Sequence, residues 1–181
     1  GNDPNSAYDD NGNIKTMTQF GWKLGVPATT PIDNLRYTYL SGTNKLKSVT
    51  DFNNDPISKL GDFKTNSTHA QASTKAGLTA NSSQAQFDAI TDYDYDVNGD
   101  LNLDNNKAVS KITCNHLNLP LVITITGKGN ITYTYDAGGN KIKKVTTENP
   151  SSANNYKTIT TTTTYLGGMV YESKTTSPLN T

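Results

Sequence analysis

The sequence predicts an all-β fold of antiparallel β-hairpins, and three observations predict it. The first is the stretch Ile131 to Thr146, ITYTYDAGGNKIKKVT. Ile131, Tyr133 and Tyr135 alternate with Thr132 and Thr134, the period of two of a strand with one buried face. Asp136-Ala137-Gly138-Gly139-Asn140 follows, rich in residues that tolerate a positive φ, and Lys141 to Val145 runs back. The second observation is that looser copies of this hairpin recur along the chain. The third is a hydrophobic fraction of 33%, below the roughly 45–50% of a globular domain (a figure that also counts Gly). Thin sheets with wet faces fit that composition better than a deep core.

Taken in order, Tyr8-Asp9-Asp10-Asn11-Gly12-Asn13-Ile14 is the first copy of the turn. Trp22 lies in the next segment, Met17 to Pro31, and reads as a packing residue or a cap on a sheet end, or else as a platform for stacking a sugar ring. Leu35 to Tyr39 is an alternating arm, Ser41 to Asn44 turns, and Leu46 to Val49 returns. Ile14-Lys15-Thr16-Met17, Leu46-Lys47-Ser48-Val49 and Ile142-Lys143-Lys144-Val145 share the order apolar-Lys-polar-apolar. Residues three apart face opposite ways on a regular strand, so either both faces are partly buried or a bulge shifts the register at the same place each time.

Residues 53–86 hold few bulky apolar side chains. They predict a polar insertion or flexible loop, poorly ordered or carrying a short helix. Asp92 to Asp104 resumes the hairpin pattern, Ile112 to Ile125 gives a variant with Cys114 in place of tyrosine, and Pro120 suits a strand start. Thr158 to Thr164 and Tyr165-Leu166-Gly167-Gly168-Met169-Val170-Tyr171 close the series. The anchors are Tyr8, Tyr39, Tyr95, Cys114, Tyr135 and Tyr165, with closest steps of 19 and 21 residues. A unit of about 20 residues is one hairpin, which must stack on neighbours to cover its face. We expect a single domain over residues 1–181, and we expect the five tyrosines to occupy equivalent positions.

Sixteen basic residues balance sixteen acidic ones, and Arg36 is the only arginine, so nothing points to nucleic acid or an anionic membrane surface. No apolar run reaches the roughly 20 residues of a membrane span. With one cysteine there is no intrachain disulfide.

YDDNGNI, YDVNGDL and YDAGGNKI resemble the tyrosine-aspartate repeat of bacterial RHS proteins, as do Ile32 to Asp51, CNHLNLPLVITI and YLGGMVYE. The resemblance covers most of the chain outside the polar insertion. It implies strand-turn-strand units in an open, twisted ribbon, which in relatives winds into a shell, and a place in a large secreted or cell-surface bacterial protein. The turn arginine of the family is replaced here by Ile14, Leu101 or Lys141.

Asp94, Asp96, Asn98 and Asp100 carry the spacing that opens a calcium loop, with Gly99 at its sixth position. Asn105 stands where a bidentate acid is needed, so a solvated turn with no tight calcium is expected. Asp88, Asp92, Asp94, Asp96, Asp100 and Asp104 also raise the idea of paired catalytic carboxylates, but alternating aspartates on a strand are expected to face water. Cys114 and His116 are too few for zinc, and His69 falls in the polar insertion. The expectation is therefore a non-enzymatic module without cofactor, acting as a scaffold or adhesive repeat. Its partners would be the remaining repeats of the parent protein and a second copy of the chain in a homodimer. The alternative is a carbohydrate-binding surface for a cell-surface glycan.

Overall fold

The structure, a computed structural model, describes residues 7–22, 28–53 and 61–177. Among these residues the chain is mainly β, in two antiparallel sheets. By its internal packing the chain divides into two compact units, Gly1–Asp94 and Tyr95–Thr181.

In the first unit, β1 (Thr16–Trp22), β2 (Thr29–Tyr39) and β3 (Leu46–Asp51) form a three-stranded sheet in that order. Ile32, Leu35 and Val49 are buried, and so are the polar residues Asp33, Thr38, Ser48 and Thr50. The hydroxyls of Thr38 and Ser48 lie 2.7 Å apart across the strands, so each satisfies the other away from water.

Of the alternatives expected for residues 53–86, the described part after β3 takes the short-helix one. Residues 54–60 lie outside the described residues. From Gly61 onward the chain folds, with α1 (Ala72–Ala76) and α2 (Gln84–Asp88). Helix α2 opens on a capping box, in which Ser83 Oγ accepts from the Gln86 N–H and Gln86 Oε1 accepts from the Ser83 N–H. The box points Phe87 inward, where it joins Leu78 and Ile90 in a core edged by Phe52. Phe52 and Phe87 meet edge to face with ring centroids 6.0 Å apart. The Arg36 guanidinium lies 4.0 Å from the Phe87 ring centroid and donates to Gln84. Few apolar residues suffice because Phe87 and Ile90 are wholly buried.

The second sheet runs β11-β10-β9-β8-β7-β6-β5-β4, and each strand pairs with its sequence neighbours. These strands are β4 (Tyr93–Tyr95), β5 (Leu101–Asp104), β6 (Val109–Cys114), β7 (Pro120–Ile125), β8 (Gly129–Tyr135), β9 (Lys141–Glu148), β10 (Thr158–Leu166) and β11 (Met169–Ser177). In β8 the expected alternation is present, with Ile131, Tyr133 and Tyr135 half-buried and Thr132 and Thr134 exposed. Gly129 begins that strand at φ 134°, where a Cβ would stand 1.9 Å from the Thr147 carbonyl oxygen. Only glycine lets β8 and β9 approach so closely.

A meander of this kind gathers alternate turns at one end of the sheet. The turns 96–100, 115–119, 136–140 and 167–168 share one end, and the connections after β5, β7 and β9 share the other.

Candidate functional site

One turn recurs four times, at Asp9–Asn13, Asp96–Asp100, Asn115–Leu119 and Asp136–Asn140. In each, the first residue's N–H donates to the carbonyl of the fifth, and the fourth residue's N–H donates back to the carbonyl of the first, at 2.9–3.1 Å. The side-chain Oδ1 of the first residue then accepts from the N–H groups of the third and the fifth. For Asp136 the donors are Gly138 and Asn140, both at 2.9 Å. For Asn115 they are Leu117 and Leu119, at 2.9 and 3.0 Å. Asp9 and Asp96 repeat the arrangement with Asn11 and Asn13, and with Asn98 and Asp100.

The fourth residue has a positive φ each time: Gly12, Gly99, Asn118 and Gly139. These are the residue types that tolerate it. The aspartate or asparagine after each anchor is thus a clasp, because its short side chain is the one that reaches two backbone donors ahead.

In two turns a further bond holds the carboxylate's second oxygen. The Asn13 amide donates to Asp9 at 2.8 Å, and the Asn140 amide donates to Asp136 at 2.9 Å. Those amide donors, followed by the backbone N–H groups, hold both carboxyls below their ordinary value. Neighbouring turns also touch, since a Cβ on Gly139 would meet Leu119 and Leu117 at 3.3 and 3.5 Å.

The position before the clasp is held by Tyr8, Tyr95, Cys114 and Tyr135. Tyr135 and Tyr39 bind back to an earlier turn. The Tyr135 hydroxyl donates to the Pro120 carbonyl, and the Tyr39 hydroxyl to the Ile14 carbonyl, each at 2.9 Å. Pro120 and Ile14 each come directly after a clasped turn, so the two ties are equivalent. The register shifts at Tyr39, Cys114 and Tyr135, where the partner strand passes over Lys47, Leu121 and Ile142. The residue passed over is the second of the apolar-Lys-polar-apolar pattern in Leu46–Val49 and the first in Ile142–Val145, while in the first copy Thr16 and Met17 pair in regular register.

Tyr39 and Tyr165 differ from the others in their turns. The turn after Tyr39 runs from Leu40 to Lys45 and uses the Thr43 hydroxyl. Tyr165 precedes a two-residue turn through Gly167 and Gly168, both at positive φ. The Lys141 ammonium lies 5.4 Å from the Tyr133 ring and 5.2 Å from that of Tyr165, linking two hairpins.

The calcium-like spacing lies in the second clasped turn. Asp96 Oδ1 is committed to backbone N–H groups, the task that uncharged Asn115 performs in the next turn. Trp22 ends β1 with 61% of its surface exposed, and Phe20, two residues before it on the same strand face, is 63% exposed. Burial, followed by the charges of Asp100 and Asp96, pushes the Cys114 thiol up, away from the reactive thiolate.

The aspartates do not all face water, and they do not form one set. Asp92 is fully buried in the first unit. His69 Nε2 lies 2.8 Å from its Oδ1, and the Lys75 ammonium lies 2.8 Å from both its oxygens and from the Val49 carbonyl. The Val49 N–H donates to Asp92 Oδ2 at 2.7 Å. His69 Nδ1 accepts from the Gln71 N–H, so the ring proton sits on Nε2 and points at Asp92. His69 and Lys75 are each 5% exposed.

A closed cluster of this kind fastens α1 and the end of the insertion to β3. The sequence reading missed it because partners 17 and 23 residues apart leave no local pattern. The one local signal was the Ser83–Gln86 box, which marks an ordered helix ahead of Phe87.

A shallow groove of about 520 Å³ lies between Asp9, Lys15, Arg36, Tyr37, Gln84 and Asp88. No family model matches the sequence, and no match is found among curated proteins. No helix among the described residues is long and apolar enough to cross a membrane.

Proposed function

We propose that the chain is a structural and interaction module of a large secreted or cell-surface bacterial protein of the RHS kind. In this reading its hairpins continue into an open, twisted ribbon. The observation that carries the reading is the repeated clasped turn with its tyrosine ties. Each tie reaches from one hairpin to the turn of an earlier one, so hairpins are joined in series as stacked repeats require.

The last hairpin offers the surface for the next partner. Leu166, Met169, Val170 and Tyr171 are each more than half exposed. β11 ends the strand order, with β10 as its neighbour, and an edge strand with uncovered apolar residues pairs readily with another chain. In the parent protein the partner would be the following repeat, and in isolation it would be a second copy. Sedimentation at micromolar concentration should show a dimer, and Val170→Lys should return it to a monomer. A wild-type protein that stays monomeric at every concentration would remove the edge from the proposal.

Exposed Phe20 and Trp22, side by side on one strand face, favour a second reading as a glycan-binding surface. Glycan-array binding that is abolished by Trp22→Ala would support it. Binding unchanged by that substitution would exclude these rings as the platform.

A further inference from the structure

Asp33 on β2, Asp51 at the end of β3 and Asp62 each present one carboxylate oxygen, and the three oxygens lie within 4.8 Å of one another. Some of this charge is satisfied. Asp33 Oδ1 accepts from the Phe63 N–H at 2.7 Å, and Asp51 Oδ1 accepts from the N–H groups of Asn34 and Asn53 at 2.9 Å. The rest is not. Asp51 Oδ2 and both oxygens of Asp62 are buried and have no hydrogen-bond partner. The Asp62 side chain is 0% exposed, and its one counter-charge among the described residues is the Lys64 ammonium at 3.6 Å from Oδ2, on a side chain 41% exposed.

A buried carboxylate without donors is among the most costly arrangements a protein can hold, and it persists where a proton or a cation completes it.

We propose that Asp33, Asp51 and Asp62 bind a divalent cation, calcium by preference. Among the described residues three carboxylates and one ammonium leave a local charge of minus two, which a divalent ion cancels. The donors are all oxygen, the set that hard cations take and zinc or copper do not favour. An ion centred among oxygens 4.8 Å apart would stand about 2.8 Å from each, and a slight inward rotation reaches the roughly 2.3–2.6 Å of calcium–oxygen bonds. Calcium's tolerance of irregular geometry suits a site built from two strands and the loop residue Asp62, with water completing the shell. The bound ion would tie the start of the folded insertion to β2 and β3. The proposal is independent of the repeat reading and of the Asp94–Asp100 turn.

The test is calorimetric titration of calcium into chelator-treated protein, paired with thermal melting. One ion per chain is expected, with a rise in Tm of about 5 °C or more at saturation. Asp62→Asn should fold with a calcium-free Tm at least equal to that of wild type, because it removes carboxylate repulsion, and should lose the calcium response. Asp51→Asn keeps an oxygen for the Asn34 and Asn53 N–H groups and should lose the response too, so that the site remains testable if the first variant misfolds. Asp94→Asn should respond as wild type does. No heat and no change in Tm for wild type, a response that survives Asp62→Asn or Asp51→Asn, or one abolished by Asp94→Asn would overturn the proposal.

Discussion

The two units are built from the same hairpin chemistry and are stabilised differently. The largest fully buried side chains, Phe87, Ile90, Thr50, Asp92 and Ser48, all lie in Gly1–Asp94, and the segment after β3 brings three of these five. None of these five lies in Tyr95–Thr181, where the buried residues among those described are Asn106, Ala108 and Gly129. Its strands hold half-buried side chains on a continuous antiparallel ladder. The first unit therefore relies on a small apolar core and a buried ionic cluster. The second relies on pairing, clasped turns and cross-hairpin ties.

The largest expected effect lies in the first unit. Asp92→Ala leaves the Lys75 ammonium buried without its carboxylate, and should cost about 3–5 kcal/mol in urea unfolding. The loss should appear in amide signals of Gly1–Asp94. Equal loss in Tyr95–Thr181 would mean that the two units do not melt as separate entities.

In the second unit, Gly129→Ala should cost about 3 kcal/mol, because the added carbon overlaps the Thr147 carbonyl at a positive φ. A denaturation midpoint within error of wild type would mean that β8 and β9 can part without penalty.

Tyr135→Phe removes the hydroxyl bonded to the Pro120 carbonyl and keeps the ring. About 1 kcal/mol should be lost, and Tyr39→Phe in the first unit should lose a similar amount if the two ties are equivalent.

The smallest effect is one of pH. The folded-state value of the Asp136 carboxyl is lowered, so its stabilisation is fully present above the ordinary value of 3.8 and is lost as pH falls through the lowered one. Below that value the Gly138 and Asn140 amide resonances should move with acid, while those of Leu117 and Leu119, clasped by uncharged Asn115, should stay in place. Parallel shifts at both turns would contradict the assignment of the acid-sensitive bond to the carboxylate.

The hairpins were legible in the sequence because their causes are local. Alternation at Ile131–Tyr135, a short clasping side chain and a glycine three residues later all fall within one turn. A shared bulge was one of two readings of the irregular pattern, and the structure places register shifts at Tyr39, Cys114 and Tyr135. What escaped was set by distance along the chain. His69, Lys75 and Asp92 are unremarkable until the fold brings them together, and Asp33, Asp51 and Asp62 sit in three different local patterns. The division into two units was hidden as well, since the hairpins of both read alike and the cover that distinguishes the first is sparse in apolar residues.

The recurrence of one clasped turn is tested most directly by amide hydrogen exchange at its fifth position, at Asn13, Asp100, Leu119 and Asn140. Each of these N–H groups donates to the clasping oxygen. All four should exchange more slowly than a freely solvated amide, in both units and whether the clasp is aspartate or asparagine. Exchange at the rate of an unstructured peptide at any of the four would contradict the equivalence of the turns.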